Sequence, residues 1–214
     1  MDDQNTVLIL RTCSAAMTAY GGFRWPESGP VEAPDWNPVP VCGNGLHGAL
    51  WGEGDGNLLD FDLAARWLVV EVPADSIVDL GGKVKFPRGV VVCCGDRDEA
   101  TQYMMARAPG RAVIGAIVTA GDGGTATAGD GGTATAGDRG TATAGYGGTA
   151  TAGYRGTATA GYRGTATAGY GGTLSLRWHD GSRYRIATFY VGENGIEPGV
   201  AYRCEGGRAV KVTP

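Results

Sequence analysis

The sequence lacks the features that most directly indicate a function. No apolar run approaches the ~20 residues of a membrane-spanning helix, and there is no phosphate-binding loop, HExxH pair or Cys/His zinc spacing. The 214 residues carry a net charge of −4, so no global positive field attracts nucleic acid or anionic lipid. We therefore expect no membrane or nucleic-acid partner, no metal and no cofactor.

Cysteine is scarce as well, with five residues, an odd number, and no CxxC pair. The N-terminal residues, MDDQNTVLIL, are acidic and offer no small-residue cleavage site, so we expect no secretory signal. Thiols of a chain that is not exported stay reduced. The expected location is the cytoplasm, which is that of the host cell if the chain is phage-encoded.

Glycine, in contrast, is abundant, with 39 residues, and most of the excess over average usage lies in one array. Residues 124–171 are six in-register copies of GTATAGxx, where xx is DG, DR, YG or YR, and degenerate copies occupy 116–123 and 172–179. The alternation of Thr and Ala predicts a strand with Ala facing inward and Thr outward. The glycines that follow predict a turn.

One octad is too short to enclose a core, whereas two octads form a closed coil of strand, turn, strand and turn. Eight octads then predict about four coils of a flattened β-solenoid with a thin alanine core. The expected fold class is mainly β. The chain is expected to comprise a small α+β module (1–112), the solenoid (113–179) and a β-hairpin cap (180–214).

Stacking with a period of two octads aligns the variable positions along two edges. One edge contains Asp122, Asp138, Tyr154 and Tyr170, and the other contains Asp130, Tyr146, Tyr162 and Trp178. The tyrosines either stack within the rod or pair it with a second copy as a homodimer, and both alternatives stay open. The candidate interaction surface comprises Thr125, Thr127, Thr133, Thr135, Thr141, Thr143, Tyr146, Tyr154, Tyr162 and Tyr170.

The N-terminal module offers three candidate site residues. His47 lies in the glycine-rich stretch CGNGLHG. Arg11 ends the apolar run of a predicted buried strand over 6–12, and Lys83 lies in GGKVKFPRG. The alternatives are a cleft that uses all three side chains, and a histidine that only hydrogen-bonds its own loop. The basic stretch with Lys83, Lys85 and Arg88 is expected to be a solvated hairpin tip rather than a phosphate site.

Three resemblances carry further expectations. The run AGYGGTATAGYRGTATAGY is similar to the octapeptide and hexadecapeptide repeats of bacterial ice nucleation proteins. That resemblance implies a β-solenoid whose Thr-x-Thr strands order water and whose tyrosine ladder pairs rods. The segments RTCSAAMTAYGGFRWP, CGNGLHG, WLVVEV and GGKVKFPRG resemble uncharacterised phage, prophage and bacterial proteins with a GFH or GLH motif. The same module faintly resembles the ADP-ribosyltransferase core.

Three hypotheses for function follow. The first is a non-enzymatic structural or binding protein, phage- or prophage-related, whose solenoid is an assembly surface for an unknown protein partner. The second is a nucleotide-binding or ADP-ribosyltransferase-like enzyme that uses Arg11, His47 and Lys83. The third is an ice-binding protein similar to the ice nucleation family.

Overall fold

The computed structural model describes residues 5–213 and divides into two compact units, one ending at Val113 and one beginning at Ile114. The first unit is an antiparallel sheet with one α-helix, and the second is a parallel β-solenoid followed by antiparallel strands. The predicted fold class, mainly β with a solenoid of about four coils, is confirmed.

The first unit contains seven strands. They are β1 (Thr6–Cys13), β2 (Gly29–Glu32), β3 (Leu46–Leu50), β4 (Arg66–Pro73), β5 (Val78–Asp79), β6 (Val84–Phe86) and β7 (Arg88–Gly95). They form one sheet in the order β2-β7-β4-β1-β3-β6-β5, and every neighbouring pair is antiparallel. Short 3-10 helices occur at Tyr20–Gly22, Gly56–Leu58 and Ala74–Ser76.

Strands β1 and β4 lie in the middle of this sheet and are buried on both faces. In β1, the consecutive residues Leu8, Ile9 and Leu10 are all buried, which explains why the strand is a continuous apolar run instead of an alternating one. On one face Ile9 packs in a cluster with Trp25. The other face has contacts with the α-helix.

The spacing Asp96-x-x-Glu99 predicts a capping box at the start of a helix, and helix α1 (Arg97–Arg107) begins there. Asp96 is its N-cap, and the capping box is complete because the Asp96 side chain accepts from Glu99 N while the Glu99 carboxylate accepts from Asp96 N. Ala100, Thr101 and Met104 are its buried residues, so α1 covers the sheet with one narrow stripe.

The basic stretch GGKVKFPRG differs from its prediction. Lys85 lies on β6 and is fully buried, with its ammonium donating to the carbonyl oxygens of Val41 at 3.0 Å and Gly43 at 3.3 Å. The prediction of a solvated hairpin tip is therefore wrong for Lys85. Strand β6 has partners on both sides, β3 and β5, and carbonyl groups of the segment 41–43 reach its lysine.

The second unit begins with eight strands of the repeat array. They are β8 (Ile117–Ala120), β9 (Thr125–Ala128), β10 (Thr133–Ala136), β11 (Thr141–Ala144), β12 (Thr149–Ala152), β13 (Thr157–Ala160), β14 (Thr165–Ala168) and β15 (Thr173–His179). Each of the first six pairs in parallel with the strand two further along the chain, so that Thr133 faces Thr149 and Thr141 faces Thr157. One coil is therefore two octads, as predicted.

The solenoid core consists of alanine rows. In every GTATAG octad both alanines are at most 3% exposed, while the threonines between them are half-buried or exposed. Because alanine buries little apolar area, the backbone must supply much of the cohesion. The hydrogen bonds between coils continue through the turns, as in Gly123 N to Asp138 O at 2.8 Å and Gly147 N to Tyr162 O at 2.9 Å.

The last position of each octad has a left-handed backbone. The φ angle is 62° at Gly147, 56° at Arg139, 53° at Arg155 and 61° at Arg163. Glycine adopts this conformation freely, whereas an L side chain costs about 1–2 kcal/mol there. Two of these arginines lie over tyrosine rings, with the guanidinium carbon 5.0 Å from the ring centroid of Tyr154 for Arg155 and 5.5 Å from that of Tyr162 for Arg163.

The C-terminal strands close the solenoid as two hairpins. They are β16 (Tyr184–Tyr190), β17 (Tyr202–Glu205) and β18 (Arg208–Lys211). Strand β16 pairs with β15 and extends one sheet, while β17 pairs with β14 at Ala166 and Tyr202 and extends the other. In the last coil Leu174 and Leu176 replace the core alanines and pack with Val191 and Tyr202. The predicted hairpin cap is confirmed.

Candidate functional site

The predicted threonine surface is divided between two faces of the solenoid. Thr133 and Thr135 lie on the sheet of β8, β10, β12 and β14, which we call the first face. Thr125, Thr127, Thr141 and Thr143 lie on the sheet of β9, β11, β13 and β15, which we call the second face. Because one coil is two octads, successive octads alternate between the two sheets, and the threonines grouped as one candidate surface lie on two faces.

The first face presents a regular net of side chains. Strands β10, β12 and β14 each contribute two threonines, which are paired in exact register: Thr133, Thr135, Thr149, Thr151, Thr165 and Thr167. Neighbouring strands of a sheet lie about 4.8 Å apart, and residues i and i+2 lie about 6.7 Å apart. Three rungs of two threonines therefore form a regular array of hydroxyl and methyl groups.

The second face has the same threonine rows but a raised border. Strand β16 lies beside β15 and exposes Tyr184, Ile186 and Tyr190. Together with Tyr162 and Thr159, the first two of these side chains line a concave corner of about 530 Å³. The second face is thus bounded by bulky apolar groups, whereas β17, beside the first face, carries the exposed ion pair of Arg203 and Glu205.

The tyrosines form two unequal edges. Tyr154 and Tyr170 are stacked nearly parallel, with ring centroids 6.5 Å apart, and both are exposed. Tyr146 and Tyr162 lie 5.9 Å apart with tilted rings. Tyr162 is in addition covered by Tyr184 of the cap, at 5.4 Å between centroids.

The predicted ladder is wrong at Trp178. In the last, degenerate octad, β15 continues to His179 instead of ending after four residues as the strands before it do, because it pairs with β16 over its whole length. The ring that contacts Tyr162 there is His179, at 6.5 Å, and Trp178 packs against Gly207.

The aspartates of the early octads have a role that the sequence reasoning missed. The Oδ1 atoms of Asp122, Asp130 and Asp138 accept hydrogen bonds of 2.7–2.9 Å from the backbone N–H one coil later. Each carboxylate therefore joins two successive coils by a hydrogen bond. The 16-residue spacing of the acidic positions is the signal that could have revealed this contact.

The three candidate residues of the N-terminal unit come together. Arg11 on β1, His47 on β3 and Lys83 just before β6 all line one cavity of about 110 Å³. Their sequence separations give no hint of this, and the antiparallel pairing of β1 with β3 and of β3 with β6 produces it.

Comparison with known proteins adds evidence for both units. Residues 7–103 match a family described as a domain of unknown function, DUF7666. The chain is 43% identical over 105 residues to an ice nucleation protein of Xanthomonas campestris pv. translucens. It is 42% identical over 104 residues to the ice nucleation protein InaU of Pantoea ananas. It is 44% identical over 102 residues to an ice nucleation protein of Pseudomonas syringae.

These matches cover 47–48% of this chain but only 7–10% of the relatives, so the chain spans a tenth or less of their length. No solved structure matches. The expected resemblance to ice nucleation repeats is confirmed, and the chain contains a β-solenoid repeat unit. Across residues 5–213, no helix is both long and apolar enough to cross a membrane.

Proposed function

We propose that this protein binds ice through the first face of its solenoid. The observation that carries the proposal is the net of six threonines on β10, β12 and β14, in which every side chain repeats in register from coil to coil. The relatives named ice nucleation proteins support the same reading.

The chemistry of the net suits ordered water. Each threonine offers a hydroxyl that donates and accepts, beside a methyl group that does not compete with water–water hydrogen bonds. Because χ1 of a β-branched side chain is restricted, and the strands below are held by backbone hydrogen bonds, the hydroxyls are fixed before water arrives. The protein then loses little conformational entropy when it binds an ice lattice.

The first face suits a flat lattice better than the second does. Ice presents a plane, and a surface that binds it must be complementary over the whole contact. On the second face Tyr184 and Ile186 form the walls of a concave corner, which interrupts the plane.

The small size of the net favours adsorption to existing ice over nucleation. A nucleating surface has to organise a water cluster large enough to grow, and that size increases as supercooling decreases. Three rungs of two threonines organise only a few waters. We therefore expect changes in crystal growth rather than freezing at slight supercooling.

Replacing Thr149 by lysine, at the centre of the net, should reduce ice-growth inhibition roughly tenfold, because one central residue of an interface can contribute that much. A long charged side chain there holds the ice plane away. The measurement is ice recrystallisation inhibition by the full chain, with crystal shape as a second readout.

The matched control is Thr141→Lys, the same octad position on the second face. It should keep the wild-type activity. Equal losses in both variants would refute the assignment to the first face, and a wild-type chain without any effect on ice growth would refute ice binding.

A second proposed property is self-association through the edge of Tyr154 and Tyr170. These rings are 38% and 66% exposed, while the rings of the opposite edge are half-buried. An exposed pair of stacked rings offers apolar area to a second copy of the rod.

The double variant Tyr154→Ser/Tyr170→Ser should shift the chain from dimer to monomer in sedimentation velocity, with little change in melting temperature. Tyr146→Ser should instead lower the melting temperature, because its ring packs on Tyr162. If the chain is a monomer at all concentrations, the edge serves only internal stacking.

A further inference from the structure

The small cavity of the N-terminal unit has no role in ice binding, yet its chemistry is distinctive. It lies where β1 and β3 pair, beside the segment 55–59, and its volume is about 110 Å³. Three of its lining side chains are basic: Arg11, His47 and Lys83. Leu58 and Leu59 are its apolar lining residues.

Arg11 is held by carbonyl groups and an aromatic ring. Its guanidinium donates to His47 O at 3.2 Å and to Thr12 O at 3.1 and 3.3 Å, and it lies 4.0 Å from the ring centroid of Trp25. Burial lowers the pKa of Arg11 to about 10, so it stays charged at neutral pH. These contacts fix the guanidinium without neutralising it.

Two lysines add positive charge around the same place. Lys83 lines the cavity, and its ammonium donates to the exposed thiol of Cys42 at 3.0 Å. Lys85 is fully buried on β6, with the carbonyl groups of Val41 and Gly43 as its hydrogen-bond acceptors. Among residues 5–213, no ion pair joins Arg11, Lys83 or Lys85 to a carboxylate.

His47 supplies the second, independent observation. Its Nε2 atom is buried and has no hydrogen-bond partner in the part of the chain that the structure describes. A buried polar atom without a partner destabilises the folded state. An acceptor in the cavity would remove that cost if Nε2 carries a proton.

The opposing charge in the cavity is that of one carboxylate. Asp55 lines it, but its Oδ1 atom already accepts from Asn57 N at 2.9 Å and from Asn57 Nδ2 at 2.8 Å. Burial, followed by the charges of Lys83, Arg11 and Lys85, lowers the pKa of His47, and a backbone hydrogen bond at Gly45 opposes the shift. The field at the imidazole is therefore positive.

We propose that this cavity binds an oxyanion of the size of a phosphate group, held by Arg11, Lys83 and His47 Nε2–H. Two cations and the imidazole of His47, whose Nε2 donates when the ring is protonated, line a space that accommodates a tetrahedral anion, and charge-assisted hydrogen bonds to such an anion are strong. Free phosphate and the terminal phosphate of a nucleotide present the same chemistry to these three groups.

The proposal makes binding depend on pH in a defined direction. An anion beside His47 offsets the surrounding cations, so its pKa is higher in the complex than in the free protein. The affinity gained from imidazolium is therefore present at low pH and is lost as pH rises through the pKa of the complex. Sulfate is the suitable probe, because it stays a dianion from about pH 5 to about pH 8 whereas phosphate titrates within this range.

The experiment is calorimetric titration of the full chain with sulfate, phosphate, ADP and adenosine. We expect sulfate and phosphate to bind, adenosine not to bind, and sulfate affinity to increase as pH falls. Tighter binding of ADP than of phosphate would identify a nucleotide as the ligand class. Equal or weaker binding of ADP would identify the free anion.

Three variants separate the site from general charge. Lys83→Gln should weaken sulfate binding roughly tenfold, Lys83→Arg should restore it, and His47→Gln should abolish its pH dependence. Arg88→Gln, which removes an exposed cation of the same basic stretch, should bind as the wild type does. Equal weakening by Lys83→Gln and Arg88→Gln, or no sulfate binding by the folded wild type, would overturn the proposal.

Discussion

Replacing Gly153 by alanine is expected to destabilise the solenoid by about 3 kcal/mol, which is the upper range for overpacking in a closely packed interior. A Cβ atom at Gly153 would lie 2.7 Å from Asp138 N and 2.8 Å from Gly137 C, both backbone atoms of the coil below. Real Cβ contacts essentially never fall below 3.0 Å. The coils would have to separate at this point.

Separation of the coils would also stretch the hydrogen bonds that join them there. Gly153 N donates to the carbonyl oxygens of Ala136 and Gly137, each at 3.2 Å. Thermal unfolding followed by circular dichroism measures the effect. At about 4–8 °C per kcal/mol for a unit of this size, the midpoint should fall by more than 10 °C.

The matched control is Gly121→Ala at the same octad position of the first coil. A Cβ atom there would have no other atom within 4 Å, so this variant should unfold within about 0.5 kcal/mol of the wild type. Equal destabilisation by the two substitutions would show that the glycine is needed for its backbone conformation and not for the close approach of the coils.

Truncating Leu176 to alanine is expected to destabilise the C-terminal end by about 2–5 kcal/mol, the usual range for a buried leucine. Leu174 and Leu176 are fully buried and occupy positions where the preceding coils have alanine. They fill the end of the core against Val191, Ile196 and Tyr202. A cavity there leaves the last alanine rows poorly covered.

Hydrogen exchange locates this effect. Amides of β14 and β15 should exchange faster in Leu176→Ala than amides of β9 and β10, because a stacked array frays from its weakened end. The control Ile186→Ala removes a side chain that is 69% exposed and should change little. Uniform acceleration along the whole array would contradict a capping role for Leu176.

The solenoid could be predicted from sequence because its determinants are local and repeated. The alternation in GTATA fixes which side chains face inward, and the octad length fixes how many repeats close a coil. The capping box of Asp96 and Glu99 is local in the same way, and the structure confirms it.

Features that depend on distant segments could not be predicted. Tyr184 covers Tyr162 because β15 extends into the cap, and nothing in the octads indicates this. Lys85 was expected in solvent because of its charge, but carbonyl groups more than 40 residues away satisfy it. Arg11, His47 and Lys83 were identified by residue type, and only the sheet pairing shows that they share a cavity.

Identical octads form both threonine faces, but the two faces differ in what surrounds them. Every octad carries the same Thr-x-Thr pair, yet the cap places Tyr184 and Ile186 above one sheet and the ion pair of Arg203 and Glu205 beside the other. The repeat determines the spacing of the hydroxyl groups. The C-terminal strands determine which face is flat.

The most direct test of the central claim is partition of the full chain into slowly growing ice. A protein whose threonine net binds ice should be enriched in the frozen fraction, while Thr149→Lys should be excluded from it and Thr141→Lys should behave as the wild type does. Exclusion of the folded wild-type chain to the same extent as Thr149→Lys would contradict ice binding through this face.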